Sequence, residues 1–377
     1  MNILTDSWIP VVNDGVKSNV NFETALNTKL TDFNFQRNDF FFSFLLMAIG
    51  IKNTSLDNAG VFNGDKRFMQ DSRAVDGKPF PISRLPLGAP GESTILRNRD
   101  HFLKRNSFEM LCPCCATMAL YSHTQFSGPQ GAGIMPGNLS HQMLYLRSGD
   151  TLQDVIDANT TDDTPDSMAY FSYPNSYWLT PPKESGECWI CGSSGLMVTE
   201  FRRAKGSSDF HKNPHCAKTK SGKRFSVDAN GTMFEVISGA SEHSEISISP
   251  IAINENANDG DKIIAFGTHY DKAFLQKMTF EHFILAKPFN NKIINSFIVS
   301  LWAIKYQFND EINWSSSFVG EAKKSLYSLV ENGKDLMEAA LEIIDGYCPP
   351  SDSSNMKYIS NFLEARNKFI LIASKQS

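Results

Sequence analysis

The stretch that does most to decide the fold is Cys112-Pro113-Cys114-Cys115, and Cys188-Trp189-Ile190-Cys191 repeats its pattern later in the chain. Each stretch contains a C-x-x-C step, a spacing that lets two thiolates bind one metal ion, and two such steps complete a tetrahedral zinc site. A closed site of this kind has no open coordination position. We therefore expect a structural zinc that joins two distant segments and does no chemistry. The predicted ligands are Cys112, Cys115, Cys188 and Cys191.

Two alternatives for these cysteines stay open, namely ordinary buried thiols and a redox-active pair. Disulfides are not expected, because the start Met1-Asn2-Ile3-Leu4-Thr5-Asp6 lacks the basic and apolar regions of an export signal. Neither C-x-x-C step has the βαβ setting of a thioredoxin-like pair. Cys114 could replace either neighbour as a ligand, although the C-x-x-C geometry favours Cys112 and Cys115.

Composition limits the class of protein. With 377 residues, of which 41% are hydrophobic, the chain is long enough for two domains with a sizeable core. The most apolar stretch, residues 40–51, is too short to cross a bilayer and predicts a buried helix. The formal net charge of −5 argues against nucleic-acid binding over the whole surface, so such binding needs a local basic patch. We expect a soluble, cytoplasmic protein with no membrane contact.

A basic segment follows the second pair of cysteines. Its Lys and Arg residues suit contact with phosphates, where the release of counterions supplies the affinity. Gly, Ser, Asn and Pro separate them, which predicts a loop or hairpin and not a helix. An ordinary solvated loop is the alternative. The candidate nucleic-acid-binding residues of this segment are Arg202, Arg203, Lys205, Lys212, Lys218, Lys220, Lys223 and Arg224.

A glycine-rich segment, residues 128–138, follows the first pair of cysteines. It holds four glycines and two prolines, and Pro136 together with the lack of a following amphipathic helix argues against a dinucleotide-binding turn. Because glycine has no side chain, such a segment can bring bare backbone close to a ligand. An ordinary surface loop is again the alternative.

The order of these features predicts an α+β fold with two domains. The first, residues 1–284, is an irregular mixed α/β domain that carries the four-cysteine zinc site and the nucleic-acid-recognition elements. The second, residues 285–377, is a C-terminal helical bundle of three or four helices, since apolar residues recur there at helical spacing. Within it, the apolar stripe from Met337 to Ile344 predicts a helix that ends at Gly346. Near the start, Asp14-Gly15 predicts a turn between two strands.

Catalytic signatures are mostly absent from the sequence. It contains no phosphate-binding loop of the G-x-x-x-x-G-K-[ST] type, no G-x-S-x-G nucleophile elbow and no H-E-x-x-H helix. One enzymatic alternative is a metal-dependent HNH-like nuclease, in which His211, Asn213 or His215 would act beside a metal ion. Three such residues within five positions of a basic loop fit that motif poorly. We therefore expect a protein that is not an enzyme.

Several features occur in the same order in one known family. They are the opening Asp6-Ser7-Trp8-Ile9-Pro10-Val11, the first cysteine pair with its helix and glycine-rich segment, the second pair followed by Phe201-Arg202-Arg203-Ala204-Lys205, and the helical tail. In this order the chain resembles the CasA family, the large subunit of the type I-E Cascade complex, which is an RNA-guided CRISPR surveillance assembly. The resemblance spans nearly the whole chain.

The resemblance implies that base pairing with a guide RNA reads the target, while the protein reads a short flanking motif on duplex DNA. In the family this reading is done mainly from the minor groove by a glycine loop, a lysine and a wedge that parts the strands. These fall on Gly137-Asn138, on Lys205 and on the turn His269-Tyr270-Asp271-Lys272, which makes Asp271 and Lys272 further candidate contacts. The family usually has consecutive glycines at the first position and often a glutamine where Lys272 stands, so this chain departs from the pattern at both points.

The resemblance also implies partners. These are the other Cascade subunits with their guide RNA, the target double-stranded DNA, and a helicase–nuclease recruited in trans, since the large subunit of this family is not itself the nuclease. A stand-alone zinc-stabilised nucleic-acid-binding protein remains the main alternative, ahead of the nuclease.

Overall fold

The structure, a computed structural model, describes most of the N-terminal two thirds of the chain and parts of the remainder. The described residues are 1–54, 56, 58–89, 95–96, 102–104, 109–130, 134–160, 167–206, 211, 213–216, 218–219, 246–247, 261–271, 274–284, 297, 300–301, 322, 325–326, 328–330, 332–347 and 356–373.

Helices and strands are mixed along the chain, as the sequence predicts. The helices are α1 (Phe22–Leu26), α2 (Asn38–Asn53), α3 (Pro113–Phe126), α4 (Leu152–Ala158), α5 (Met168–Phe171), α6 (Leu336–Asp345) and α7 (Met356–Ala373). The strands are β1 (Ile9–Asn13), β2 (Val16–Val20), β3 (Lys78–Pro81), β4 (Met143–Arg147), β5 (Ser176–Leu179), β6 (Glu184–Glu187), β7 (Ser194–Met197), β8 (Glu200–Ala204), β9 (Lys218–Thr219), β10 (Ile246–Ser247), β11 (Lys262–Asp271) and β12 (Phe274–Ile284).

Two buried helices, α2 and α3, pack against each other in the main core. The apolar run that predicts a buried helix forms α2, and its residues from Phe42 to Gly50 are all buried, so this helix has no solvent-facing side there. Asp39 adds a polar contact to the apolar packing. Its carboxylate accepts from Nε of Arg37 at 2.9 Å and from the hydroxyl of Ser122 on α3 at 3.1 Å. A buried carboxylate needs such partners, so this contact fixes the start of α2 against α3.

The strands form small antiparallel sheets around these helices. β11 pairs with both β12 and β4, and β8 pairs with both β3 and β5, while β1 pairs with β2, β6 with β7 and β9 with β10. The predicted turn at Asp14-Gly15 is confirmed, because both residues have positive φ between β1 and β2. β3 forms where two prolines in the sequence favour irregular structure, and it pairs with β8 in register from Lys78–Arg203 to Pro81–Glu200.

The C-terminal part contributes a second hydrophobic cluster, whose buried residues include Phe297, Leu326, Ile344 and Phe369. In it α6 packs against α7. The predicted end of α6 is confirmed, since Gly346 caps the helix and its N–H donates to the carbonyl oxygen of Glu342. The complete bundle, its number of helices and a domain boundary between residues 284 and 285 stay predictions.

Within the described residues, no helix combines the length and the apolar character that crossing a membrane requires.

Candidate metal centre and nucleic-acid interface

The four cysteines chosen from their spacing lie together in the fold. The Sγ atoms of Cys112, Cys115, Cys188 and Cys191 are all within 4.8 Å of one another, and those of Cys112 and Cys191 are 3.6 Å apart. A zinc ion with Zn–S bonds of about 2.3 Å holds its sulfurs about 3.8 Å apart in a tetrahedron. The four thiols therefore fit a tetrahedral metal site. Cys114 is not one of the four, in agreement with the geometric preference for Cys112 and Cys115.

Backbone pairing brings the two cysteine pairs together. Leu111, just before the first pair, exchanges two hydrogen bonds with Val198, which follows the β6–β7 hairpin that carries the second pair; their N–O distances are 3.0 and 2.7 Å. At the hairpin tip, the N–H of Gly192 donates to the carbonyl of Cys188 at 2.8 Å, and Gly192 has a φ of +72°, a value that glycine adopts without strain. Backbone hydrogen bonds therefore hold the two cysteine pairs close to each other.

The start of α3 favours a thiolate at Cys112. This residue is the N-cap of the helix, and its sulfur accepts from the N–H of Cys115 at 3.4 Å. Hydrogen bonds from neighbouring thiols, Cys114 first, lower the pKa of Cys112, while the contact with Cys112 raises the pKa of Cys115. Four thiolates this close repel one another strongly at low dielectric, so all four ionise only when a cation lies between them. This donor set of sulfurs suits zinc.

The end of the glycine segment, defined above as residues 128–138, is hydrogen-bonded to the C-terminal end of α3. The N–H groups of Gly137, Asn138 and Leu139 donate to the carbonyl oxygens of Ser127, Thr124 and Gln125 at 2.7, 3.1 and 2.6 Å. The side chain of Asn138 is fully buried, and its Oδ1 accepts from the N–H of His211 at 3.0 Å. Gly137 and Asn138 therefore stabilise the fold here. A DNA contact by either residue stays a prediction, and it would require this segment to move.

Gly137→Ala is expected to lower the free energy of unfolding by about 1–3 kcal/mol, the usual cost of forcing a methyl group into a packed interior. A Cβ at Gly137 would lie 2.6 Å from the backbone carbonyl of Gln125, which cannot shift without disturbing α3. Gly60→Ala is the matched control, because its Cβ would meet nothing closer than 3.5 Å. Denaturant unfolding measures both. A Gly137→Ala protein of unchanged stability that fails to bind target DNA would instead assign the glycine to the interface.

Gln130 connects the glycine segment to both β8 and α3. The guanidinium of Arg203 donates to Oε1 of Gln130, whose Nε2 lies 2.7 Å from Nε2 of His123 on α3. The other ring nitrogen of His123 lies 2.6 Å from the carbonyl oxygen of Leu85. Burial, with a further contribution from the charge of Arg203, lowers the pKa of His123 to about 3, so the imidazole is neutral. Its Nδ1–H then donates to Leu85 and its Nε2 accepts from Gln130, which fixes the segment against α3.

Lys205 lies beside the same segment. The lysine is exposed, and its neighbour Gly206 packs so closely on the carbonyl oxygen of Pro174 that no side chain would fit. Next to Pro174, Asn175 accepts from the N–H of Met135 at 3.0 Å and donates to the carbonyl of Met135 at 2.8 Å. The glycine segment and the lysine that follows β8 are therefore held to one short stretch, Pro174-Asn175.

The β11–β12 hairpin also contacts the glycine segment. The ring of Tyr270, near its tip, packs directly on Gly128, and burial raises the pKa of Tyr270. His141 lies at ring-centre distances of 5.6 Å from Tyr270 and 5.7 Å from His269. Asp271 ends β11 and is exposed, pairing in register with Phe274. The glycine segment thus contacts both the β11–β12 hairpin, through Gly128, and the stretch Pro174-Asn175 on which Gly206 packs, through Met135.

The remaining predicted contact residues divide into two groups. Arg202 is part-exposed and has partners within the fold: its Nη1 donates to the carbonyl of Val75 at 2.6 Å, and its Nε forms an ion pair with the carboxylate of Glu200 at 3.7 Å. For Lys218 only the backbone, in β9, is described. Four predicted residues, Lys212, Lys220, Lys223 and Arg224, lie outside the described residues, as does Lys272 of the predicted wedge.

Within the described part of the chain, the histidines of the nuclease alternative belong to no group of residues that could hold a metal ion. Asn213 and His215 are buried; Asn213 donates to the carbonyl of Ala169 at 2.8 Å, and His215 lies 3.0 Å from the hydroxyl of Tyr170. Among the described residues, the four cysteines form the only group of three or more ligands close enough to hold one ion. Sequence reasoning missed Gln130 and Asn175, because a single amide in a loop carries no signal of the distant backbone that it binds.

Comparison with known proteins identifies the fold. No protein-family model matches the sequence, and no curated protein matches it significantly. Among solved structures, CasA of Thermus thermophilus superposes with a TM-score of 0.59 at 12% identity over 100% of this chain and 99% of that one. A chain of a CRISPR RNA-guided surveillance complex gives 0.59 at 11% identity over 98% and 99%. The CRISPR-associated protein Cse1 from Acidimicrobium ferrooxidans gives 0.58 at 10% identity over 100% and 98%. The CasA-like fold that the sequence predicts is confirmed.

Proposed function

We propose that this chain is the large subunit of an RNA-guided CRISPR complex of the type I-E Cascade kind. In this role it recognises the target-flanking motif in double-stranded DNA, helps to open the duplex and docks a helicase–nuclease. The observation that carries the proposal is the likeness to CasA and Cse1 structures, which covers the whole of this chain and nearly the whole of each of those chains. One similar chain belongs to a surveillance complex, which supports other subunits and a guide RNA as partners.

The arrangement of the interface supports this role. Lys205 is exposed, and within the described part of the chain no carboxylate forms an ion pair with it. A lysine in the minor groove can donate to acceptors that A·T and G·C pairs share, so it suits tolerant reading of a short motif. The β11–β12 hairpin contacts the glycine segment, since Tyr270 packs on Gly128, and Asp271 at the end of β11 is exposed; we propose that this hairpin helps to part the strands.

The metal centre acts in this proposal as a clamp. We propose that it holds one structural zinc, which the cysteines fit in number, donor type and spacing. The zinc joins the start of α3 to the hairpin that precedes β8. Because the glycine segment leaves the other end of α3 and Lys205 follows β8, the metal keeps both elements in a fixed relation. The protein itself is proposed to be no enzyme and to act in the cytoplasm.

The test of the proposal is co-purification. A neighbouring subunit encoded beside this chain is tagged, the complex is isolated, and bound RNA is sequenced. We expect this chain at a fixed ratio to the tagged subunit, with RNA that contains CRISPR repeat and spacer sequence, because a surveillance complex assembles on its guide. A chain that is recovered alone, with no RNA-bound partner, would support the stand-alone zinc-stabilised binding protein instead.

A further inference from the structure

The β6–β7 hairpin has one face packed on the core and one face exposed to solvent. On the packed face Met197 is buried, and a Cβ at Gly186 would overlap the sulfur of Met110. Because successive side chains of a strand point to opposite faces, Leu196 and its register partner Ser185 lie on the other face. Both are exposed there, Leu196 to 54%.

The exposed part of the hairpin combines large apolar side chains with almost no charge. Trp189, in the loop between the strands, has an interaction within the chain and is still 48% exposed. Between residues 185 and 199 the one charged side chain is Glu187, which is exposed. The centres of protein–protein contacts are likewise depleted of charge and enriched in aromatic residues. Leu196, Trp189 and Glu187 are called the hairpin patch below.

The charge of the hairpin patch favours a protein as its occupant. Nucleic acids and anionic membranes are bound largely through Lys and Arg, and residues 185–199 contain neither. A second copy of the chain is disfavoured, because a symmetric contact would set the patch and its carboxylate against themselves. Within the described residues, no cation forms an ion pair with Glu187. A protein that offers a Lys or Arg beside an apolar contact is complementary to this patch.

The hairpin is also held in one shape. Cys188 and Cys191 in its loop belong to the four-cysteine cluster, and the N–H of Cys188 donates to the carbonyl of Ser193 at 2.8 Å. A surface that is already ordered loses little conformational freedom on binding. We propose that the hairpin patch docks on another protein subunit of the complex, on a surface with an apolar contact and a Lys or Arg opposite Glu187. The choice of a subunit as the partner rests on the proposed function.

The test is the affinity of the purified full-length chain for the rest of the complex, prepared with its guide RNA. Leu196→Ser should weaken binding about 10- to 100-fold, because it removes the apolar contact of one leucine. Glu187→Lys should weaken binding about tenfold, since it sets a cation against the partner's cation. Val16→Ser, at a position of β2 that is 66% exposed, is the matched control and should leave the affinity unchanged. Every variant should keep the metal content and melting temperature of the wild type, because the substituted side chains are exposed.

A cross-link identifies the occupant directly. Ser194 is exposed and lies on the same face as Leu196, opposite Glu187 in the register. A photoreactive p-benzoylphenylalanine in place of Ser194 should therefore cross-link to a protein subunit when the assembled complex is irradiated. The same substitution at Val16 is the control and should give no such product.

Unchanged affinity in Leu196→Ser and Glu187→Lys would overturn the inference. So would a cross-link from position 194 to RNA, to DNA or to a second copy of this chain. These failures differ from failure of the proposed function. A wild-type chain that joins the complex while its hairpin variants join equally well refutes the docking surface alone. A wild-type chain that does not bind the other subunits refutes the proposed function, and the proposed partner with it.

Discussion

Cys191→Ser is expected to abolish stoichiometric zinc binding and to remove most of the soluble protein. Metal binding by a four-thiolate site contributes roughly 10–16 kcal/mol in small zinc peptides, which is as large as the whole stability of a typical domain, about 5–15 kcal/mol. Cys191 shares the cluster in which all four sulfurs lie within 4.8 Å, so its loss leaves three thiolates crowded together without a complete site. Metal analysis of the pure wild-type chain should give about one zinc per chain.

The matched control for this change is Cys114→Ser. Cys114 lies between two of the predicted ligands but is not part of the cluster, so we expect its variant to keep zinc and to melt near the wild-type temperature. Chelation of the wild-type metal should lower the melting temperature as Cys191→Ser does. Metal-free protein that melts at the same temperature as metal-loaded protein would rule out the clamp. Loss of zinc in Cys114→Ser would show that the ligand set is wrong.

Lys205→Ala is expected to lower the affinity of the assembled complex for correct targets while it barely changes non-specific duplex binding. Loss of one good base contact costs about 1–3 kcal/mol of discrimination. The reason for assigning this role to Lys205 is its position. It is exposed directly after β8, and Gly206 fixes the backbone next to it against Pro174. Binding to matched and unmatched targets at two salt concentrations measures the effect.

Lys220→Ala is the comparison for Lys205→Ala. Lys220 is further along the basic segment from the metal clamp, and for it we expect a uniform loss of affinity and a salt slope reduced by about one, as phosphate contact gives. The same pattern is expected for Lys218, Lys223 and Arg224. Equal, sequence-independent losses at Lys205 and Lys220 would remove the case for Lys205 as a base reader.

The cluster of four cysteines and several elements could be predicted because their signals are local. Spacing alone selects Cys112 and Cys115 over Cys114, since the residues at C-x-x-C separation can converge on one point. An apolar run predicts α2, and Gly346 correctly ends α6. Each of these depends on residues within a few positions of one another.

Features that depend on distant residues could not be predicted. β3 has the sequence Lys78-Pro79-Phe80-Pro81, and two prolines argue against a strand because they cannot donate to a neighbouring strand. The structure accommodates them by placing β3 at the edge of its sheet. Glycine at position 137 suits both an open ligand loop and close packing on α3, and only the distance to Gln125 decides between them. The pairing of β3 with β8 likewise joins segments that are far apart in the sequence, and no local pattern contains its register.

Selection from a library of target duplexes whose flanking positions are randomised tests the central claim most directly. The guide-loaded complex is prepared with and without this chain, and the bound duplexes are sequenced. With the chain present we expect enrichment of a short flanking motif, and without it enrichment of the guide-matched target alone, because pairing reads the target and this protein reads its flank. The same flanking preference in both preparations, or none in either, would contradict the assignment of this chain as the subunit that reads the flanking DNA.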